Sequence, residues 1–155
     1  MAGLKKSKDS LCTWDDYQGW HDDQRREIID GEAYAMTPSP LERHQRILAD
    51  LFAELYTFFK AMKCPVYPAP MDLKLSDRDV VQPDILVVCD PKQIKKTHVE
   101  GPPFLLIEIL SLSTLLHDRG RKLELYARSG VQRSGWSPHI PLRSKCFFST
   151  GIPTG

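Results

Sequence analysis

The stretch Phe104–Leu110, FLLIEIL, is apolar at every position except Glu108. A continuous run of this length suits a strand covered on both faces, and it falls far short of the ~20 residues that a spanning helix needs. Glu108 is therefore a carboxylate inside a buried strand, where leaving it unpaired would cost roughly several kcal/mol. It calls for a metal ion, a cation or a cleft, and the plain alternative is an ion pair with Lys or Arg from a neighbouring element.

Working outward, Ile85–Val88 is a second continuous apolar run, preceded by Pro83-Asp84. Pro83 cannot donate to a ladder, so it marks a strand start or bulge. Alone, Asp84 reads as an exposed turn residue. If the two strands are neighbours, Asp84 and Glu108 face one cleft. Two hard oxygen ligands, completed by water and phosphate oxygens, suit Mg²⁺ or Mn²⁺ and would allow activation of water at a phosphodiester.

The flanks supply the remaining elements. Met71–Leu75 alternates apolar and polar residues, as a half-exposed strand does. REIIDGEAYAM, residues 26–36, reads as a hairpin around Asp30-Gly31. Thr13 is placed as the N-cap of a short helix, with Asp16 three positions on. Ser39, Pro40 and Glu42 spell a capping box for a long helix that ends at Cys64-Pro65. On it, His44, Leu48, Leu51, Leu55, Phe58 and Met62 draw a stripe expected to be buried. A second helix is expected over 113–129, closed by Gly130. Hairpin, helix, three strands and helix predict an α/β (α+β) fold with a mixed sheet, and a further strand is expected after the last helix.

Three other polar features have two readings each. Lys122 is a candidate positive partner for the acids, or a surface pair with Asp118 one turn earlier. His44 is a ligand or a hydrogen-bonded core histidine. Lys92, Lys95 and Lys96 form a basic loop that is a solvated face or a phosphate contact. No GxSxG, HExxH or P-loop pattern occurs, so neither another hydrolase class nor an organic cofactor is implied.

Composition narrows the class further. The chain has 155 residues and a formal net charge of +1, which suits one domain and excludes an indiscriminately basic coat for nucleic acid. The start, MAGLKKSKDS, lacks the apolar core of a signal peptide. The scattered Cys12, Cys64, Cys89 and Cys146 are expected to be reduced thiols of a cytoplasmic protein, forming neither a zinc site nor a disulfide framework. Residues 131–155 hold Arg133, Arg143 and Lys145 but no acid, leaving 18 basic against 20 acidic residues, or −2, in residues 1–130.

Taken in order, REIIDGEAYAMTPSPLERHQ, APMDLKLSDRDVVQPDILVVCDP, EGPPFLLIEILSLST and HDRGRKLELYARSGV resemble the Uma2 family of bacterial restriction-endonuclease-like proteins. The resemblance runs from about Thr13 to Val131. It implies a PD-(D/E)xK nuclease core: a mixed sheet flanked by helices, with metal-binding acids on adjacent strands. Asp84 and Glu108 match the family's two acids. Leu110 stands where the motif lysine would be, and Lys122 is its expected substitute. His44, Glu27 and Glu32 match other recurring positions without an assigned role, and Leu112 replaces a family proline.

The family continues after the last helix with a strand resembling GVxEYWIVDP, whereas this chain reads VQRSGWSPHIPLRSKCFFSTGIPTG. Codons compatible with Arg133–Gly155 can be reread in another frame as EWLVSPYPSPLEVFLLDGDSYR, which restores acids and apolar alternation. Residues 1–131 are thus expected to form the nuclease-like domain. Residues 132–155 are expected to be an aberrant, frameshifted, poorly ordered tail, with C-terminal strands missing or altered. Two functions follow from the resemblance. The first is a Mg²⁺-dependent DNA endonuclease with catalytic Asp84, Glu108 and Lys122, supported by His44, Glu27 and Asp118, and a homodimer as a plausible assembly. The alternative is a catalytically inactive nuclease-fold protein that binds nucleic acid or a partner, or a non-functional remnant.

Overall fold

The computed structural model describes residues 11–36, 41–109, 118–132, 134–137 and 147–148, with backbone alone at 118, 119, 135–137 and 147–148. Its elements are α1 (Trp14–Gln18), β1 (Arg26–Ile29), β2 (Glu32–Ala35), α2 (Glu42–Lys60), β3 (Val66–Pro68), β4 (Asp72–Ser76), β5 (Asp79–Val81), β6 (Ile85–Val87), β7 (His98–Glu100), β8 (Leu105–Ile109), α3 (Asp118–Arg128), β9 (Ser134–Ser137) and β10 (Phe147–Phe148).

The strands divide between two sheets, ordered β2-β1-β5-β4-β7 and β10-β9-β8-β6-β3. Each is mixed, because β4 and β7 run parallel in the first and β8 and β9 in the second. Strands β3, β5 and β7 have three residues each, too few for a period-2 pattern to register, and escaped the sequence reading.

Alternation along the strands stacks the layers. In β8, Leu105, Ile107 and Ile109 pack with Leu48 and Phe59 of α2, while Leu106 joins Leu125 and Tyr126 of α3. That second cluster also takes in Ile29, Leu73, Val81 and Val99 from the first sheet. The far face of the first sheet, Ile28 and Val80, is covered by Trp14 of α1. The layer between the sheets, roofed by α3, is thus the main core.

Local signals explain several boundaries. Asp30 and Gly31 both adopt positive φ, 54° and 79°, as a two-residue hairpin turn of the primed type requires. Thr13 and Asp16 form the reciprocal capping box at α1. Val131 N–H returns to the Tyr126 carbonyl past Gly130, which sits at φ 78° and closes α3.

Other expectations need correction. Ser39 and Pro40 lie outside the described residues, and α2 begins with Leu41 at its N-cap and no side-chain cap, so Glu42 completes no capping box there. Phe58 and Met62 are exposed, and Phe59 takes the buried position. Phe59 follows Leu48 by 11 residues, close to three turns, whereas Phe58 falls about 100° off that line. Of the second helix, Asp118–Arg128 is observed and 110–117 lie outside the described residues. Within the tail, Ser134–Ser137 occupies the place of the strand expected after the last helix, parallel to β8.

The cysteines are a further correction: Cys64 and Cys89 form a disulfide. Strands β3 and β6 pair Val66 with Val87, and continuing that antiparallel register sets Cys64 opposite Cys89. Their separation of 25 residues concealed this. Closing such a loop in the unfolded chain should contribute about 3 kcal/mol. Reduction, or the pair Cys64→Ser and Cys89→Ser, is therefore expected to lower the denaturation midpoint, and an unchanged midpoint under reductant would refute that contribution.

Candidate active site

The acids sit where the register of β6 against β8 puts them. Ile85 pairs with Ile107 and Leu86 with Leu106, so one step further Asp84 lies opposite Glu108. Glu108 shares the inward face of β8 with Leu106. From the facing sheet, Glu27 shares the inward face of β1 with Ile29 and is buried. Lys122 descends from α3 between them and is also buried.

The contacts form two neighbouring groups. Lys122 Nζ donates to Glu27 Oε1 at 2.9 Å and to Glu108 Oε1 at 3.0 Å. Tyr126 OH donates to the same Glu108 oxygen at 2.6 Å. Gln82 N–H donates to Glu27 Oε1 at 2.9 Å. Asp84 Oδ2 accepts Ile109 N–H at 2.6 Å, and Asp84 Oδ1 lies 3.2 Å from His44 Nε2. The structure thus brings Glu27, Lys122 and Glu108 into one set of polar contacts and Asp84 and His44 into another, with the register of β6 against β8 setting the two side by side.

Two of the open alternatives resolve. Lys122 is a buried cation between two carboxylates and not an exposed residue, while the Asp118 side chain lies outside the described residues. Asp84 is not an exposed turn residue, since its side chain is 16% accessible and bonded on both oxygens. Glu32 stays outside both groups, exposed and accepting from Tyr34 OH. Lys92, Lys95 and Lys96 lie on the loop before β7, with Lys95 paired to Glu100. The sequence reading missed Tyr126 and Gln82. Tyr126 follows Lys122 by four residues and so shares its helix face, a spacing that points to it.

Burial governs the electrostatics. Desolvation pushes the Glu108 carboxyl up from 4.5 to about 7; Lys122 opposes this, while Asp84 and Glu27 add to it. Burial disfavours the Lys122 ammonium, but Glu108 and Glu27 outweigh it and hold the lysine protonated, above its ordinary value. The bond to Asp84 raises His44 against a smaller effect of burial. Tyr126 is pushed well above its usual value by burial and then by Glu108.

A carboxyl titrating higher in the folded chain keeps a proton that the unfolded chain has released. The stabilisation from Glu108 is therefore present below about pH 4.5 and is lost as pH rises through about 7. Glu108→Gln is expected to flatten the fall of the denaturation midpoint between pH 5 and 7. A pH profile that keeps its slope in this variant would contradict the assignment.

Two of these donors are of the type a divalent cation takes. Asp84 and Glu108 offer hard carboxylate oxygens on adjacent strands, which suit Mg²⁺ or Mn²⁺. Among the described residues no group of three or more His, Cys, Asp or Glu side chains is arranged to hold a metal.

Among known proteins, the crystal structure titled as "a putative nuclease belonging to DUF820" from Anabaena variabilis ATCC 29413 shares this fold, with a TM-score of 0.67 and 17% identity over 81% of this chain and 73% of that one. The uncharacterized protein slr1290 of Synechocystis sp. is 30% identical over 118 residues, which span 74% of this chain and 62% of that relative. No helix among the described residues is long and apolar enough to cross a membrane. The family model Uma2, described as "Putative restriction endonuclease", matches residues 14–136, a span that holds both opposed acids, Glu27 and Lys122, and this chain belongs to that family.

Proposed function

We propose that the protein is a Mg²⁺-dependent endonuclease that hydrolyses phosphodiester bonds of DNA, with Asp84, Glu108 and Lys122 as its catalytic residues. The observation that carries this reading is the register that opposes Asp84 to Glu108, with a buried lysine beside Glu108. Mg²⁺ held by these two carboxylates would supply Lewis acidity toward a phosphate oxygen and acidify a bound water.

The chain's own groups do the rest. Lys122, kept protonated, places a fixed positive charge next to Glu108, where negative charge builds on a scissile phosphate. Tyr126 and Ile109 N–H restrain Glu108 and Asp84 so that the carboxylates need not reorganise. His44 orients Asp84 from α2. Membership of the family and the nuclease described by its structural relative support a nucleic-acid substrate.

Conversion of supercoiled plasmid to open-circle or linear DNA by the full chain, dependent on Mg²⁺ or Mn²⁺ and abolished by EDTA, tests the proposal. Cleavage that persists in EDTA would sink it. One observation favours a second reading, a catalytically inactive nuclease-fold protein that binds nucleic acid or a partner. Glu108 Oε1 already takes two donors, Lys122 and Tyr126. Retained binding of a DNA duplex with no cleavage under any divalent cation would select that reading. Residues 132–155 are taken as the product of a frameshift, which sequencing of the locus tests directly.

A further inference from the structure

The geometry points to Glu27 as a positioning residue that shares the Lys122 ammonium with Glu108 and thereby keeps Glu108 open to a divalent cation. This rests on the metal-binding reading of Asp84 and Glu108.

One positive charge is divided between two acids. Lys122 Nζ lies 2.9 Å from Glu27 Oε1 and 3.0 Å from Glu108 Oε1. An ammonium held equally by two carboxylates neutralises neither, and Coulomb attraction in this buried layer is weakly screened. With Asp84 opposite, three carboxylates face one ammonium and one histidine. The residual negative charge favours a cation. If the Glu27 charge is removed, Lys122 becomes a dedicated partner of Glu108 and competes directly with a metal ion for it.

Glu27 is held firmly enough to act this way. Gln82 N–H fixes the same Oε1 that meets Lys122. The Gln82 side chain is itself pinned: its amide nitrogen donates to Tyr17 OH at 3.0 Å and to Asp72 Oδ1 at 2.8 Å, and its oxygen accepts Arg25 Nε at 2.8 Å. Helix α1 and the first sheet therefore set where Glu27 stands, and Glu27 sets where Lys122 stands. Gln82 is two residues before Asp84, so the same QPD segment serves the carboxylate opposite Glu108 and the anchor of Glu27.

Calorimetric titration of Mn²⁺ into the full chain tests this as a double-mutant cycle. Glu27→Gln is expected to weaken Mn²⁺ binding by about tenfold, in the range seen for groups that orient metal ligands. In a Lys122→Met background the same substitution should change the affinity by about twofold or less, because the group through which Glu27 acts is gone. Equal losses in both backgrounds would overturn the inference, since Glu27 would then act only as a nearby negative charge. If Glu27→Gln does not fold, Glu27→Asp keeps the charge but shortens the reach to Lys122. A weakened affinity in that variant supports the positioning role, and an unchanged one overturns it. No Mn²⁺ binding by the unaltered chain would instead overturn the metal reading of Asp84 and Glu108, so the two failures are distinguishable.

Discussion

Asp84→Ala is expected to reduce Mg²⁺-supported DNA cleavage by at least about a hundredfold while leaving the chain folded. The size of the effect follows from what Asp84 touches. One oxygen takes Ile109 N–H from β8 and the other faces His44 on α2, so the carboxylate sits at the junction of three segments and opposite Glu108. Its removal takes away one of the two acids proposed to hold the cation. The fold should tolerate the loss, because Asp84 lies just before β6 and outside the hydrophobic clusters. Plasmid nicking with purified variants, alongside thermal denaturation, gives the answer. Cleavage at the unaltered rate in Asp84→Ala would reject the site.

Lys122→Met should produce the largest loss of stability, about 3–5 kcal/mol. Methionine fills a similar volume, so packing against Leu125 and Tyr126 changes little. What changes is charge: Glu27 and Glu108, both 6% exposed, lose the cation they share. Gln82 N–H and Tyr126 OH still reach them, but neither donor carries a charge. The loss should be greater at pH 8 than at pH 5, because the stranded carboxylates can take up protons at the lower pH. Combining Lys122→Met with Glu27→Gln and Glu108→Gln removes all three charges and should recover most of the stability. Urea denaturation at both pH values measures this. A single-variant loss below about 1 kcal/mol would show that the three groups do not form a coupled buried unit.

The contrast between Glu108 and Glu27 shows how far the sequence reaches. Glu108 declares itself because it interrupts an apolar run, and no exposed strand is written that way. Glu27, in REII, looks like the polar edge of a hairpin strand, and nothing local says that its face turns inward. Lys122 misleads in the same manner, since a lysine one turn after an aspartate is the ordinary pattern of a solvated helix. It is buried only because α3 lies over the layer between the sheets. Cys64 and Cys89 are likewise joined by a register that neither residue's neighbours encode.

Local period, turn chemistry and the cost of a charge in an apolar run were therefore enough to read the buried strands, the hairpin turn at Asp30-Gly31, the mixed α/β character and the burial of Glu108. The division of the strands into two sheets, the opposition of Asp84 to Glu108 and the sharing of Lys122 with Glu27 emerge from packing alone. Those outcomes depend on which faces meet. The residues concerned are separated by 14 to 95 positions, and pairing over such separations is set by how whole layers pack.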